Sequence, residues 1–206
     1  MGKLILAFAF VVTAGLGNYL GGQEVKSISQ TRKDNLMTLL NYRFKGGFYT
    51  FEKVFQQNAV YPPVAIGNCV MGIAIVAFNV TCEGEVKNLK IKTPLGYGID
   101  NEIASFFAKT AGQWNTCNDK KYTKFEIPIQ FKLNGSETNT EDALLVIEAD
   151  NPGYLCNDDE YYIAKMEKYI EKGKRKKALQ YIEIMIRRDP YNTHYYDLRK
   201  KIMNGE

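Results

Sequence analysis

The run CVMGIAIVAFNVT, residues 69–81, constrains the fold more than any other part of the chain. Met71, Ile73, Ile75 and Ala77 alternate with Gly72, Ala74, Val76, Phe78 and Val80, so an extended backbone here is apolar on both faces. A strand of that kind belongs inside a sheet, with a packed layer on each side. The rest of the sequence is therefore read for what flanks this strand and what covers its two faces.

Two further strands are legible. Glu83-Gly84 makes a turn into residues 85–93, where Leu89 and Ile91 face one way and Asn88, Lys90 and Lys92 the other. Lysines in that pattern suit an exposed edge strand. Tyr122–Leu133 alternates strictly: Phe125, Ile127, Ile129, Phe131 and Leu133 point in, and Lys124, Glu126, Gln130 and Lys132 point out. Pro128 in its middle cannot donate to a ladder, which predicts an edge strand or a bulge. Between them, Asp100 is placed to cap a helix with Ile103, Phe106, Phe107, Thr110 and Trp114 on one face.

Ahead of the first strand, residues 24–35 read as a polar, mobile segment, followed by a helix over Asn35–Tyr42. Lys45-Gly46-Gly47 breaks it. A second short helix fits Phe51–Gln57 with Thr50 as its cap, and Tyr61-Pro62-Pro63 stops it. After the third strand comes a polar linker, Asn134–Thr140. The run ALLVIE, Ala143–Glu148, fits either a short strand or a turn and a half of helix. Beyond Asn151-Pro152-Gly153 the pattern is helical. One helix is capped by Asn157 or Asp158 and runs to Glu171, a second runs from Lys174 to Arg188, and a third is capped by Asn192.

Residues 4–17, LILAFAFVVTAGLG, follow Lys3 and reach roughly 21 Å as a helix at about 1.5 Å per residue, short of a hydrocarbon core of about 30 Å. Small residues close the run, as a removable leader requires. The alternative is a retained anchor continuing through Gly22, with Asn18 and several glycines inside the span. Export makes the four cysteines, Cys69, Cys82, Cys117 and Cys156, candidates for two disulfides. Their spacing is unlike that of zinc ligands, and buried free thiols are the other reading. His194 is the sole histidine, which disfavours His-based triads and multi-His metal sites. No nucleophile has a nearby base and no glycine-rich phosphate loop appears, so neither catalysis nor a cofactor is expected. A net charge of +4 is too mild to imply a nucleic-acid partner. The run Gly173-Lys174-Arg175-Lys176-Lys177 is either a solvated helix start or a surface for anionic headgroups or an acidic partner.

Two resemblances follow. Gly46-Gly47, Asn58, Tyr61-Pro62, Ala65, Gly72, Gly84, Gly98-Ile99-Asp100, Trp114 and Pro128-Ile129-Gln130-Phe131-Lys132-Leu133 occur in the order found in the TonB C-terminal domain of gram-negative envelope proteins. Tyr162, Tyr169, Gly173, Ala178, Ile182, Met185 and Pro190 fall at the spacing of a tetratricopeptide repeat, although Lys165 and Met166 replace its usual Leu-Gly pair. A single repeat cannot bury its own apolar face, so these helices must dock on the sheet or on a partner.

The resemblances imply an α+β chain. A leader (1–23) precedes a polar and helical segment (24–43) and a TonB C-terminal-like domain (44–133). A linker (134–156) then leads to tetratricopeptide-like helices (157–206). The domain should hold a three-stranded antiparallel sheet in the order 2-1-3. That order sets the third strand beside the first, which implies the pairs Cys82–Cys117 and Cys69–Cys156. Pairing of the third strand with the second would give Cys69–Cys117 instead.

In the TonB family a partner's peptide pairs with the third strand. The resemblance therefore marks Tyr122, Lys124, Phe125, Glu126, Ile127, Pro128, Ile129, Gln130, Phe131 and Lys132 as the partner-binding edge. The alternative is that Ala143–Glu148 covers this edge, or that Pro128 and the lysines blunt it. The function expected is that of a periplasmic, non-enzymatic adaptor in an outer-membrane assembly. It would bind envelope proteins, such as an outer-membrane protein or its periplasmic peptide, without nucleic acid or a small-molecule substrate. Peripheral membrane association through the basic run is compatible with this. A TonB-type energy transducer anchored by residues 4–22 is the competing expectation, weakened by the lack of a proline-rich stalk: no proline precedes Pro62.

Overall fold

A computed structural model describes residues 27–118, 122–136, 138, 141–154 and 156–205, so the leader and the anchor alternative lie outside the described residues. The chain is α+β, with seven helices and one mixed four-stranded sheet among those residues. In order these are α1 (Ile28–Arg43), α2 (Gly47–Asn58), α3 (Pro63–Gly67), β1 (Gly72–Val80), β2 (Val86–Ile91), α4 (Ile99–Lys109), β3 (Thr123–Leu133), β4 (Leu145–Ala149), α5 (Asp159–Glu171), α6 (Arg175–Arg188) and α7 (Thr193–Asn204).

The sheet order is β2-β1-β3-β4. The first three strands are antiparallel neighbours, and β4 adds to β3 in parallel, pairing Ile129 with Leu145 through Leu133 with Ala149. The expected three-stranded antiparallel sheet is thus corrected to four mixed strands. The ambiguous run at 143–148 is a strand, because Leu145 and Ile147 complete the apolar row begun by Phe125, Ile127, Ile129 and Phe131.

Pro128 tolerates this interior position for a local reason. Its partner across the ladder, Ile75, turns its own polar groups toward β2: the carbonyl accepts from Lys92 N–H at 2.8 Å, and the N–H donates to Thr93 Oγ1 at 2.9 Å. The proline nitrogen therefore faces away from β1, where no ladder donor is required. Its carbonyl accepts from Leu144 N–H at 2.9 Å, at the point where β4 begins. On the other side of β1 the register with β2 shifts between Ala77 and Asn79. Phe78 there opposes both Asn88 and Leu89, and Asn88 takes φ 57° to make the bulge.

One sheet face carries an aromatic core. Phe78 stacks on Phe125 at 5.0 Å, and Trp114 meets Phe44, Phe78 and Phe125 at 5.0–5.6 Å. Phe51 and Phe106 pack edge-on at 5.7 Å, and Phe55 closes the cluster against Phe106. Such pairs add about 0.5–1.5 kcal/mol each beyond the area they bury. The indole N–H is satisfied by Thr110 Oγ1 at 3.0 Å. Trp114 lies past the end of α4, in a short bridge with Phe44, rather than on the helix face.

Three helix starts differ from expectation. α1 begins at Ile28, seven residues early, because the Ser27 hydroxyl accepts from Gln30 N–H. The polar stretch over 28–35 is therefore helix. α2 begins at Gly47, and Thr50, inside its first turn, donates back to the Gly46 carbonyl instead of capping. Asp100 caps nothing: its carboxylate accepts from Leu95 and Gly96 N–H, both at 3.1 Å, and so shapes the loop ahead of α4.

The other face of β1 is covered by the C-terminal helices. α5, α6 and α7 form their own small core around Met166, Ala178, Ile182, Met185, Ile186 and Ile202. The C-terminal end of α6 then sits on the start of β1. A Cβ at Gly72 would collide with the Arg187 carbonyl, so glycine is what permits the close approach. Ile73 and Gln130, neighbours on this face, are fully buried.

Candidate functional site

The expected partner-binding edge is occupied by the chain itself. β4 pairs with Ile129–Leu133. On the outer side of Thr123–Ile127 no described strand is paired; α1 packs against β3 and is fastened at both ends. Arg43, at its C-terminus, donates to Thr123 Oγ1 at 2.6 Å. Arg32, near its start, bonds Asp142 at 2.8 Å, and Ser29 Oγ donates to the Glu141 carbonyl at 2.6 Å. The candidate residues are accordingly spent. Phe125, Ile127, Ile129 and Phe131 are in the aromatic core, and Pro128 and Gln130 are buried on the opposite face. Glu126 pairs with Lys92, and Lys132 with Glu148 at 3.1 Å. Tyr122 is exposed, with the Lys124 ammonium 5.7 Å from its ring. Alternation showed which side chains point inward. The second layer of coverage came from residues distant in sequence, which alternation does not report.

The opposite flank of the sheet is β2. No described strand pairs with its outer side. Between β2 and α4 lies a groove of about 540 Å³, floored by Val86, Leu89 and Phe107 and walled by Ala104, Ala108 and Ala111. Lys87 and Lys90 stand exposed along the strand, and Lys87 bonds Glu85 at 2.7 Å. The bulge at Asn88 interrupts the strand midway.

The cysteines are all oxidised. Cys82 joins Cys117 and Cys69 joins Cys156, with Cα separations of 4.6 and 5.6 Å. The first pair ties the end of β1 to the approach to β3, the second ties the start of β1 to the helical tail. Beside the second, Arg188 is buried against the Asn157 carbonyl at 2.8 Å and pairs with Asp159, with its guanidinium 4.6 Å from the Tyr162 ring. Arg32 reaches across to stack at 3.8 Å on Tyr191, in the turn between α6 and α7. Burial pushes the Tyr191 phenol above its ordinary range, against the pull of Arg32. Burial also raises Tyr61, whose hydroxyl donates to the Val70 carbonyl at 2.5 Å, with Arg188 opposing.

With its four cysteines in disulfides the chain offers no thiolate ligand, and among the described residues no group of three His, Cys, Asp or Glu could hold a metal ion. No described helix is long and apolar enough to cross a membrane. No family model matches the chain, and no curated protein or solved structure matches it either.

Sequence reasoning missed Arg43, whose guanidinium donates to Thr81 O at 2.6 Å and Asn115 O at 3.0 Å besides Thr123. The signal was present: Arg43 continues the helical stripe of Leu36 and Leu40, a charged residue in an apolar row.

Proposed function

We propose that the chain is an exported, non-enzymatic protein-interaction module related to the TonB C-terminal domain, contacting an envelope partner along β2. Support for the kinship is the order of elements from α2 to β3 and the antiparallel neighbours β2-β1-β3, which are those the resemblance implies. Support for export is the pair of disulfides, which persist in oxidising compartments. The observation that carries the partner reading is an asymmetry: the β3 flank is closed by β4 and α1, while β2 keeps an uncovered flank above an apolar groove. The occupant that fits is an extended acidic segment of another protein. Its backbone would meet β2, its apolar side chains would enter the alanine-walled groove, and its carboxylates would face Lys87 and Lys90.

A photo-crosslinking residue at Lys90, compared with one at the exposed Lys53 on α2, tests this in cells. A discrete adduct with one envelope protein from Lys90 alone is the expected result. No adduct at Lys90, or the same adducts from both positions, removes the β2 site. N-terminal sequencing of the mature protein addresses the transducer alternative: a start beyond residue 14 is expected, and an intact leader embedded in the inner membrane would favour the anchored form.

A further inference from the structure

α5, α6 and α7 run up, down and up, so the C-terminus of α5, the N-terminus of α6 and the C-terminus of α7 share one end. The contact that fixes this is Arg175, whose guanidinium lies against Gly205 at the end of α7. The sequence shows only the run 174–177 as basic. The fold adds Lys168 from α5, Lys172 at its C-cap, and Lys200 and Lys201 from α7 to the same pole, and all eight side chains are exposed. The described carboxylates there are Glu167, Glu171 and Asp197, the last sharing a trough with Lys200 and Lys201. Among the described residues, eight cations thus meet three carboxylates at this pole. The pole is a concentrated patch of positive charge among the described residues.

The pole also points away from the sheet. α6 docks on β1 by its other end, at Arg187 and Arg188, and its 14 residues hold the two ends about 20 Å apart. Helix stability does not account for the cations at the start of α6. The first turn of α6 has no acidic residue, and cations there oppose the helix dipole and one another. Met203, 64% exposed, stands in the last turn of α7 next to Lys200 and Lys201.

We infer that this three-helix pole is a docking surface for an anionic phospholipid membrane, holding the sheet and its β2 flank off the bilayer. The charges issue from three separate helix ends and are not gathered along one groove. The trough beside α7, about 470 Å³, takes only Lys200 and Lys201 of them. A plane of phosphate headgroups satisfies such a spread of ammonium groups better than a single acidic peptide does, and Met203 is placed to enter the acyl boundary. This inference does not depend on what β2 binds.

The test is co-sedimentation of the full chain with vesicles of phosphatidylcholine alone and with vesicles containing phosphatidylglycerol, at low and high salt. An apolar leader partitions into both, so the ratio of the two affinities carries the result. The expected outcome is selective binding to the phosphatidylglycerol vesicles, lost at high salt. Each basic residue at an anionic surface is worth about five-fold, so K174Q/K176Q/K200Q should weaken it about 100-fold with the melting temperature unchanged or raised. A second variant, K168Q/K172Q/K177Q, should act in the same direction. K53Q/K109Q/K124Q, with equal charge loss on the sheet unit, should leave binding intact. Equal affinity for both lipids, or equal weakening by the sheet-unit variant, overturns the inference. Failure to bind phosphatidylglycerol vesicles together with binding to polyglutamate overturns it too, and assigns the pole to an acidic protein.

Discussion

Arg43 shows what a single side chain can organise. Its guanidinium is buried at 1% exposure and bridges the end of α1, the end of β1, the start of β3 and the segment after Trp114. Its acceptors are carbonyls and a hydroxyl, beside the Cys82–Cys117 bond. Removing the donor orphans buried carbonyls, each at a cost of about 1–3 kcal/mol. Arg43→Met should therefore lower unfolding free energy by about 3 kcal/mol, and Arg43→Lys should recover less than half, since an ammonium cannot span that fork. Urea denaturation with the disulfides intact measures both, and a Met variant within about 1 kcal/mol of the parent would refute the assignment. The residue scale is also where reading by type was strongest and weakest. Gly84 was legible as a turn because it takes φ 82°, and a Cβ there would meet the Trp114 carbonyl at 2.6 Å. Asp100 misled because a carboxylate ahead of a helix can cap the helix or bind the loop before it, and local sequence does not choose between them.

At the scale of elements, β1 was legible because two apolar faces admit one placement, and the structure gives it helices on both sides. β3 was legible in its alternation but not in its position. Whether a proline-bearing strand is an edge depends on which way the proline nitrogen turns, and that is fixed by register with Ile75. β4 is five residues long and pairs in parallel across the connection from Leu133, so nothing within ALLVIE decides its state. Its role yields a prediction. Ile147 packs into the aromatic-side core, and Gln56 Nε2 donates to the Val146 carbonyl at 3.0 Å, tying β4 to α2. Ile147→Asp buries an unpaired carboxylate and should peel β4 from β3, uncovering Ile129–Leu133 as a free ladder edge. The expected signature is concentration-dependent self-association by sedimentation velocity, with the core strands β1 and β3 still protected from hydrogen exchange. A variant that stays monomeric with β4 protected would show that β4 is not what closes this edge.

The whole molecule is three layers held by few crossings between two cores. The aromatic core and the helical core share no buried residue, and the tail is fastened at Cys69–Cys156, at the Gly72–Arg187 contact, through the Arg188 network and by Arg32 on Tyr191. The helical core is small, with six buried apolar residues among those described, and does not supply much stability by itself. The two disulfides should therefore fail differently. By chain entropy alone, the 35-residue loop closed by Cys82–Cys117 is worth about 3.8 kcal/mol and the 87-residue loop closed by Cys69–Cys156 about 4.6 kcal/mol. The smaller loop lies wholly within the sheet unit, so Cys82→Ser/Cys117→Ser should lower protection evenly across β1, β2, β3 and α4. The larger one joins the two units, so Cys69→Ser/Cys156→Ser should release α5–α7 first, leaving the sheet protected. Hydrogen exchange read by segment separates these patterns. Loss of protection at the same rate in tail and sheet after Cys69→Ser/Cys156→Ser would mean one cooperative unit, and would leave the basic pole with no freedom to reorient against β2. Selective loss in the tail would make that disulfide the joint on which the distance between pole and sheet depends.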